Sequence, residues 1–146
     1  MTLPEQIIWG SIFLGGCLVL EVAVLVWCGE ALRRHEARFS HHPSKVRQGS
    51  VLLISIGFVL AAHTAQIWIW SAALLVKTTS ISDWNTAVYF SVSTYTTLGY
   101  GDVVLDQEHR IFAAFAAMTG MLAFGISTAF LVGTMQPVFS RGRRGG

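Results

Sequence analysis

Three long stretches of this chain carry almost no charge, and their lengths set the architecture. The first runs from Ile7 to Cys28 and is interrupted only by Glu21. The second, Val51 to Val76, and the third, Ile111 to about Gln136, contain no Asp, Glu, Lys or Arg. Each exceeds the roughly 20 residues that an α-helix needs to cross about 30 Å of hydrocarbon. The pattern predicts three membrane-spanning helices. A fourth apolar segment, Asp83 to Tyr95, is too short to cross and too apolar for an exposed loop. With Ser82 or Asp83 as N-cap, it predicts a re-entrant helix of about three turns.

Composition agrees. The 146 residues are 53% hydrophobic and only 12% charged, where a soluble domain carries roughly 25%. The expected fold class is therefore an all-α membrane protein. Charge placement orients it. The segment between the first two spans holds Arg33, Arg34, Arg38, Lys45 and Arg47, and the tail holds Arg141, Arg143 and Arg144. Between spans two and three stand only Lys77 and Arg110, against Asp83, Asp102, Asp106 and Glu108. Basic segments favour the cytoplasmic side, so the expected topology has the N-terminus outside and the C-terminus cytoplasmic, in a cell membrane. Met1 to Gln6 carries only Glu5 and no basic residue, and no small-residue cleavage site follows the apolar run. The first stretch is read as a retained helix rather than a signal peptide.

The loop after the re-entrant helix reads Thr96-Thr97-Leu98-Gly99-Tyr100-Gly101-Asp102. Gly99 and Gly101 can take φ > 0 at little cost. Alternating such residues with ordinary ones turns successive carbonyls to one side, where they can replace the water shell of a cation. Non-helical backbone at membrane depth is tolerated where protein buries it or where it lines a water-filled cavity. A carboxylate-rich outer mouth would raise the local cation concentration.

The run Thr97-Leu98-Gly99-Tyr100-Gly101 resembles the selectivity-filter signature of the potassium-channel pore-domain family, with Leu98 at a position that is usually Val. The resemblance covers the chain from Val51 onward, and the first helix is an addition to it. It implies the following division. Residues 1–30 form an extra N-terminal helix and 31–49 a cytoplasmic basic linker. Residues 50–136 form the pore domain, with an outer helix 51–76, pore helix 83–95, filter 96–102 and inner helix 109–136. Residues 137–146 form a short basic tail.

By the same resemblance, K+ is the permeant ligand, held by carbonyls of Thr97, Leu98, Gly99 and Tyr100 and the Thr97 hydroxyl, with Gly101 completing the run. Thr96, Asp102, Tyr89, Phe90 and Ser93 support the filter. Tyr89 and Phe90 replace a common Trp-Trp pair; Tyr89 can donate to Asp102, whereas Phe90 has no donor. Gly120 falls at the inner-helix hinge, although glycine in a membrane helix equally serves close packing. Met121, Phe124, Thr128 and Val132 share one face by helical spacing, which the resemblance assigns to the cavity and gate; spacing alone equally allows a helix–helix seam. One chain supplies one filter strand and the potassium site needs four, so a homotetramer is implied.

Glu21 is an intramembrane carboxylate, a functional candidate by default; the plainer alternative is a protonated or partly hydrated acid facing Ser, Thr and Gln groups of the second span. His63 and Gln66 are candidate partners, although a naive helix count places His63 about a turn and a half closer to the outside than Glu21, at about 1.5 Å per residue. His63 is a candidate modulatory group because imidazole titrates near neutral pH. Ser11, Gly15 and Gly16 offer small residues for packing the first helix on the second. Cys17 and Cys28 read as apolar packing residues.

Several classes are excluded. No Arg repeat marks a voltage sensor. About ten residues follow the third span, so no ligand-binding domain is expected there. No His-Glu-x-x-His, nucleophile elbow or phosphate loop is present, so no enzyme, resident cofactor or nucleic-acid partner is expected. The basic linker suits contact with anionic headgroups of membrane lipids, and nothing fixes tetrahedral spacing for a metal at His35, His41 and His42. Two functional alternatives remain beside a potassium-selective channel: a weakly selective cation channel, and a non-conducting or regulatory channel subunit.

Overall fold

The charged residues after the first apolar stretch extend its helix rather than ending it. Arg33 and Arg34 pair back to Glu30, three and four residues earlier on the same face, Arg34 Nε lying 3.0 Å from Glu30 Oε1. In a computed structural model that describes residues 1–38 and 44–142, α1 therefore spans Leu3–Arg38. α2 spans Ser44–Lys77, α3 Trp84–Tyr95 and α4 Arg110–Gly142. Much of the segment 31–49, expected as a linker, is thus helix, and the inner helix runs on into the expected tail. His41, His42, Arg143 and Arg144 lie outside the described residues. All described elements are helices, and α1, α2 and α4 are each long and apolar enough to cross a membrane.

The short α3 starts where its sequence provides a cap. Asp83 is extended (φ −136°, ψ 155°), and its carboxylate accepts the Thr86 N–H at 2.9 Å. Hydrogen bonding from the Thr86 side chain, and then from its N–H, holds the Asp83 carboxyl below its ordinary range. The helix ends at Thr96, whose N–H and hydroxyl both donate to the Val92 carbonyl, at 3.0 and 2.7 Å.

α1 packs on both α2 and α4, and α3 sits between α2 and α4. The core is aromatic near the filter side: Phe13 meets Trp70 at 5.7 Å and Phe112 edge-on at 5.9 Å, ring centre to ring centre. Leu74, Ile81, Ala87 and Ala116 fill in around them. The start of α4 is capped from another helix, because the buried Gln6 accepts the Ile111 and Phe112 N–H groups at 3.1 and 3.4 Å. This places the N-terminal end of α1 on the same side as the filter loop.

Close packing of α1 does not use Ser11, Gly15 or Gly16. A Cβ on Gly15 or Gly16 would meet nothing within 4 Å, and Ser11 is exposed. The tight contact is Gly10 against the Phe115 ring of α4, where a Cβ would lie 2.4 Å from Cδ2. Small residues on a helix allow close approach without saying which neighbour uses it. Cys17 and Cys28 are buried, free thiols, as expected of packing residues.

Candidate functional site

The loop after α3 is held from its inner side by one residue. Ser93, in the last turn of α3, accepts the Gly99 N–H at its carbonyl (3.1 Å) and the Tyr100 N–H at its hydroxyl (3.4 Å). In a planar trans peptide unit the N–H and C=O point in opposite directions. Two successive units, 98–99 and 99–100, therefore direct their N–H groups at α3 and their carbonyls, those of Leu98 and Gly99, away from it. In an ordinary extended strand successive carbonyls alternate. The backbone departs from that because Thr97, Gly99 and Gly101 have φ of 60°, 55° and 80°.

The two glycines take the left-handed conformation at little cost. Thr97 takes it against its Cβ, at a cost of roughly 1–2 kcal/mol. Its N–H is fixed by the Thr94 carbonyl at 2.9 Å. The sequence marks the glycines and hides Thr97, whose conformation follows from where α3 ends. Leu98 and Tyr100 are exposed within the single chain.

The far end of the loop is tied by a side chain. The Tyr89 hydroxyl donates to Asp102 Oδ2 at 2.6 Å, and Asp102 Oδ1 accepts the Val103 N–H at 3.0 Å. The hydroxyl holds the Asp102 carboxyl below its ordinary range; the same carboxylate raises the Tyr89 phenol. Phe90 makes no such contact. It lines a groove of about 530 Å³ with Thr94, Val103, Leu105 and Arg110. Thr96 supports the loop through its own hydroxyl to Val92, as described above.

On α4, Gly120 faces α3. A Cβ there would lie 1.9 Å from the Tyr95 carbonyl oxygen, so the glycine has a packing requirement whatever it does as a hinge. Met121, Phe124, Thr128 and Val132 are all exposed, and α4 continues unbroken through them. Phe124 stacks on the His63 ring of α2, 4.5 Å between ring centres, so part of this face meets a helix of the same chain while the rest of it is exposed.

Glu21 is fully buried and does not stand alone. Gln66 Nε2 donates to its Oε2 at 2.7 Å, and Ser127 of α4 contacts its Oε1. Tyr95 donates to Gln66 Oε1 at 2.9 Å, and His63 Nδ1 meets the Tyr95 hydroxyl at 2.7 Å. Ser127 Oγ also reaches His63 Nε2 at 3.3 Å. His63 and Glu21 are thus joined through Ser127, against the offset expected from the helix count. Lys77 Nζ sits 3.4 Å from the centre of the Trp9 ring, so α1 begins well beyond the end of α2. Measured from Trp9 and Lys77, Glu21 and Gln66 fall level. Tyr95 and Ser127 are the functional candidates that the sequence reading passed over. Their only signal was a polar atom within an otherwise apolar face.

A family model described as an ion channel matches residues 52–136 of the chain. No curated protein and no solved structure matches.

Proposed function

Since the chain belongs to the ion-channel family by that match over more than half its length, we propose that it is a potassium-selective channel, conducting K+ passively through a filter formed by residues 96–102. The observation that carries this reading is the orientation of successive peptide units: Ser93 engages the N–H groups of both Gly99 and Tyr100. The Leu98 and Gly99 carbonyls are left facing the side opposite the pore helix. Inward carbonyls in a column are what a dehydrated K+ requires. The Thr97 hydroxyl and the Thr97 and Tyr100 carbonyls extend the column to the ends of the run.

One chain contributes one such strand, so a closed ring of carbonyls takes four copies. The exposed face of Met121, Phe124, Thr128 and Val132 then lines the cavity below the filter. Asp83, Asp102, Asp106 and Glu108 are exposed on the filter side and concentrate cations at the outer mouth. The basic residues of the α1–α2 connection and of the tail support a cytoplasmic side for those segments, next to anionic headgroups of a cell membrane.

Reconstitution of the purified chain into liposomes tests this. K+ flux is expected from the wild type and not from Gly99→Ala, whose Cβ opposes the left-handed backbone. Equal flux from the variant would remove the filter assignment. Reversal potentials under K+/Na+ gradients separate potassium selectivity from weak cation selectivity, and absence of wild-type flux would indicate a regulatory subunit.

A further inference from the structure

Glu21 and four other side chains form a closed ring that no part of the matched segment 52–136 accounts for by itself, because Glu21 comes from α1. Going round, Glu21 meets Gln66, Gln66 meets Tyr95, Tyr95 meets His63, His63 meets Ser127, and Ser127 returns to Glu21. Each of the five contacts takes one hydrogen. The Gln66 amide supplies one whichever way it is turned, and the two hydroxyls supply one each. His63 and Glu21 together must supply the remaining two. Either a neutral imidazole faces a protonated carboxyl, or an imidazolium faces a carboxylate. Both states close every contact and both are neutral overall, as burial demands.

The ring ends on the filter. Tyr95 is the last residue of α3, next to Thr96, and two residues before it Ser93 holds the Gly99 and Tyr100 N–H groups. The Tyr95 backbone is pressed against Gly120, while its side chain is held only by the ring's hydrogen bonds and by packing.

We propose that Glu21 is a positioning residue for the filter: by closing this ring it fixes Tyr95, and through Tyr95 the end of the pore helix that holds the filter backbone. The proposal rests on the filter reading above. It makes α1 a working part of the pore rather than an appendage. It also makes a chemical distinction. Gln at position 21 can donate to Ser127 and accept from Gln66, closing the ring around a neutral His63. Leu at the same position fills similar space, breaks the ring and leaves the Gln66 Nε2–H without its acceptor.

Hydrogen exchange of the segment 93–101 in the purified protein reads filter positioning without requiring conduction. Exchange is expected to be about tenfold faster in Glu21→Leu and in Tyr95→Phe, and to stay at the wild-type rate in Glu21→Gln. Tyr95→Phe removes a single oxygen and serves where Glu21→Leu does not fold. Wild-type exchange in Tyr95→Phe, or exchange in Glu21→Gln as fast as in Glu21→Leu, would overturn the proposal. K+/Na+ reversal potentials of the same proteins, with Gly99→Ala as control, keep the two readings apart. Loss of wild-type K+ selectivity with the exchange pattern intact would remove the filter reading and leave the positioning role.

Discussion

Gly120 of α4 lies so close to Tyr95 of α3 that a Cβ on the glycine would come within 1.9 Å of the tyrosine carbonyl oxygen and 2.8 Å of its carbon. The obstacle is backbone, which cannot rotate aside as a side chain can. Gly120→Ala must therefore push the end of the pore helix away from the inner helix. The expected loss is about 3 kcal/mol, the upper part of the overpacking range, read as a lower melting temperature. Gly29→Ala, where a Cβ meets nothing within 4 Å, is the matched control and is expected to gain up to about 1 kcal/mol from helix propensity. Equal melting of the two variants would mean that α3 moves freely against α4.

The contact between Tyr89 and Asp102 carries a pH dependence with a definite sign. The hydroxyl depresses the Asp102 carboxyl. Its contribution to the folded loop is therefore complete above the ordinary carboxylate range and is lost as pH falls through the depressed value. Tyr89→Phe removes the largest cause of that depression and lets Asp102 protonate at a higher pH. Acidification of the filter side should reduce flux through the variant at a higher pH than through the wild type. Coincident acid profiles would show that the contact does not hold the loop.

The fold was legible because its determinants are long and local. Apolar stretches without charge, a capped half-length segment and a loop with two alternating glycines each carry their own physical reason. What the sequence hid depended on register between helices. Glu21 and its candidate partners His63 and Gln66 were visible, yet which of them it meets directly followed from how α1 and α2 are aligned, a register marked by the Lys77–Trp9 contact. Ser127 was hidden because a lone serine in a membrane helix is common. Thr97 was hidden because its left-handed backbone is imposed by the end of α3 and by its bond to Thr94. The helices also ran past their apolar limits, since Glu30 with Arg33 and Arg34 supports a helix outside the hydrocarbon as readily as leucine does inside it.

Gln6 offers a test of how α1 is attached. Its side-chain oxygen takes the Ile111 and Phe112 N–H groups at the start of α4, two donors with no partner inside their own helix. Gln6→Ala should cost about 1 kcal/mol, as loss of a helix cap does. Gln6→Glu keeps an acceptor and adds favourable charge at a helix N-terminus, so it should melt at or above the wild-type temperature. If the alanine variant melts with the wild type, the amide's bonds to α4 contribute nothing to docking.

Ser93 separates the two bonds that orient the filter. Its carbonyl holds Gly99 and its hydroxyl holds Tyr100, and a substitution can remove only the second. Ser93→Ala leaves the 98–99 peptide unit fixed and frees the 99–100 unit to rotate. A neutral hydrogen bond is worth about 1 kcal/mol net, and 3.4 Å is long for one. The variant is therefore expected to conduct while its K+/Na+ permeability ratio falls by less than about tenfold. Gly99→Ala strikes the backbone itself and should abolish conduction. Reversal potentials at fixed ion gradients measure the difference. A Ser93→Ala channel with wild-type reversal would mean that the bond from Gly99 to the Ser93 carbonyl orients both peptide units alone.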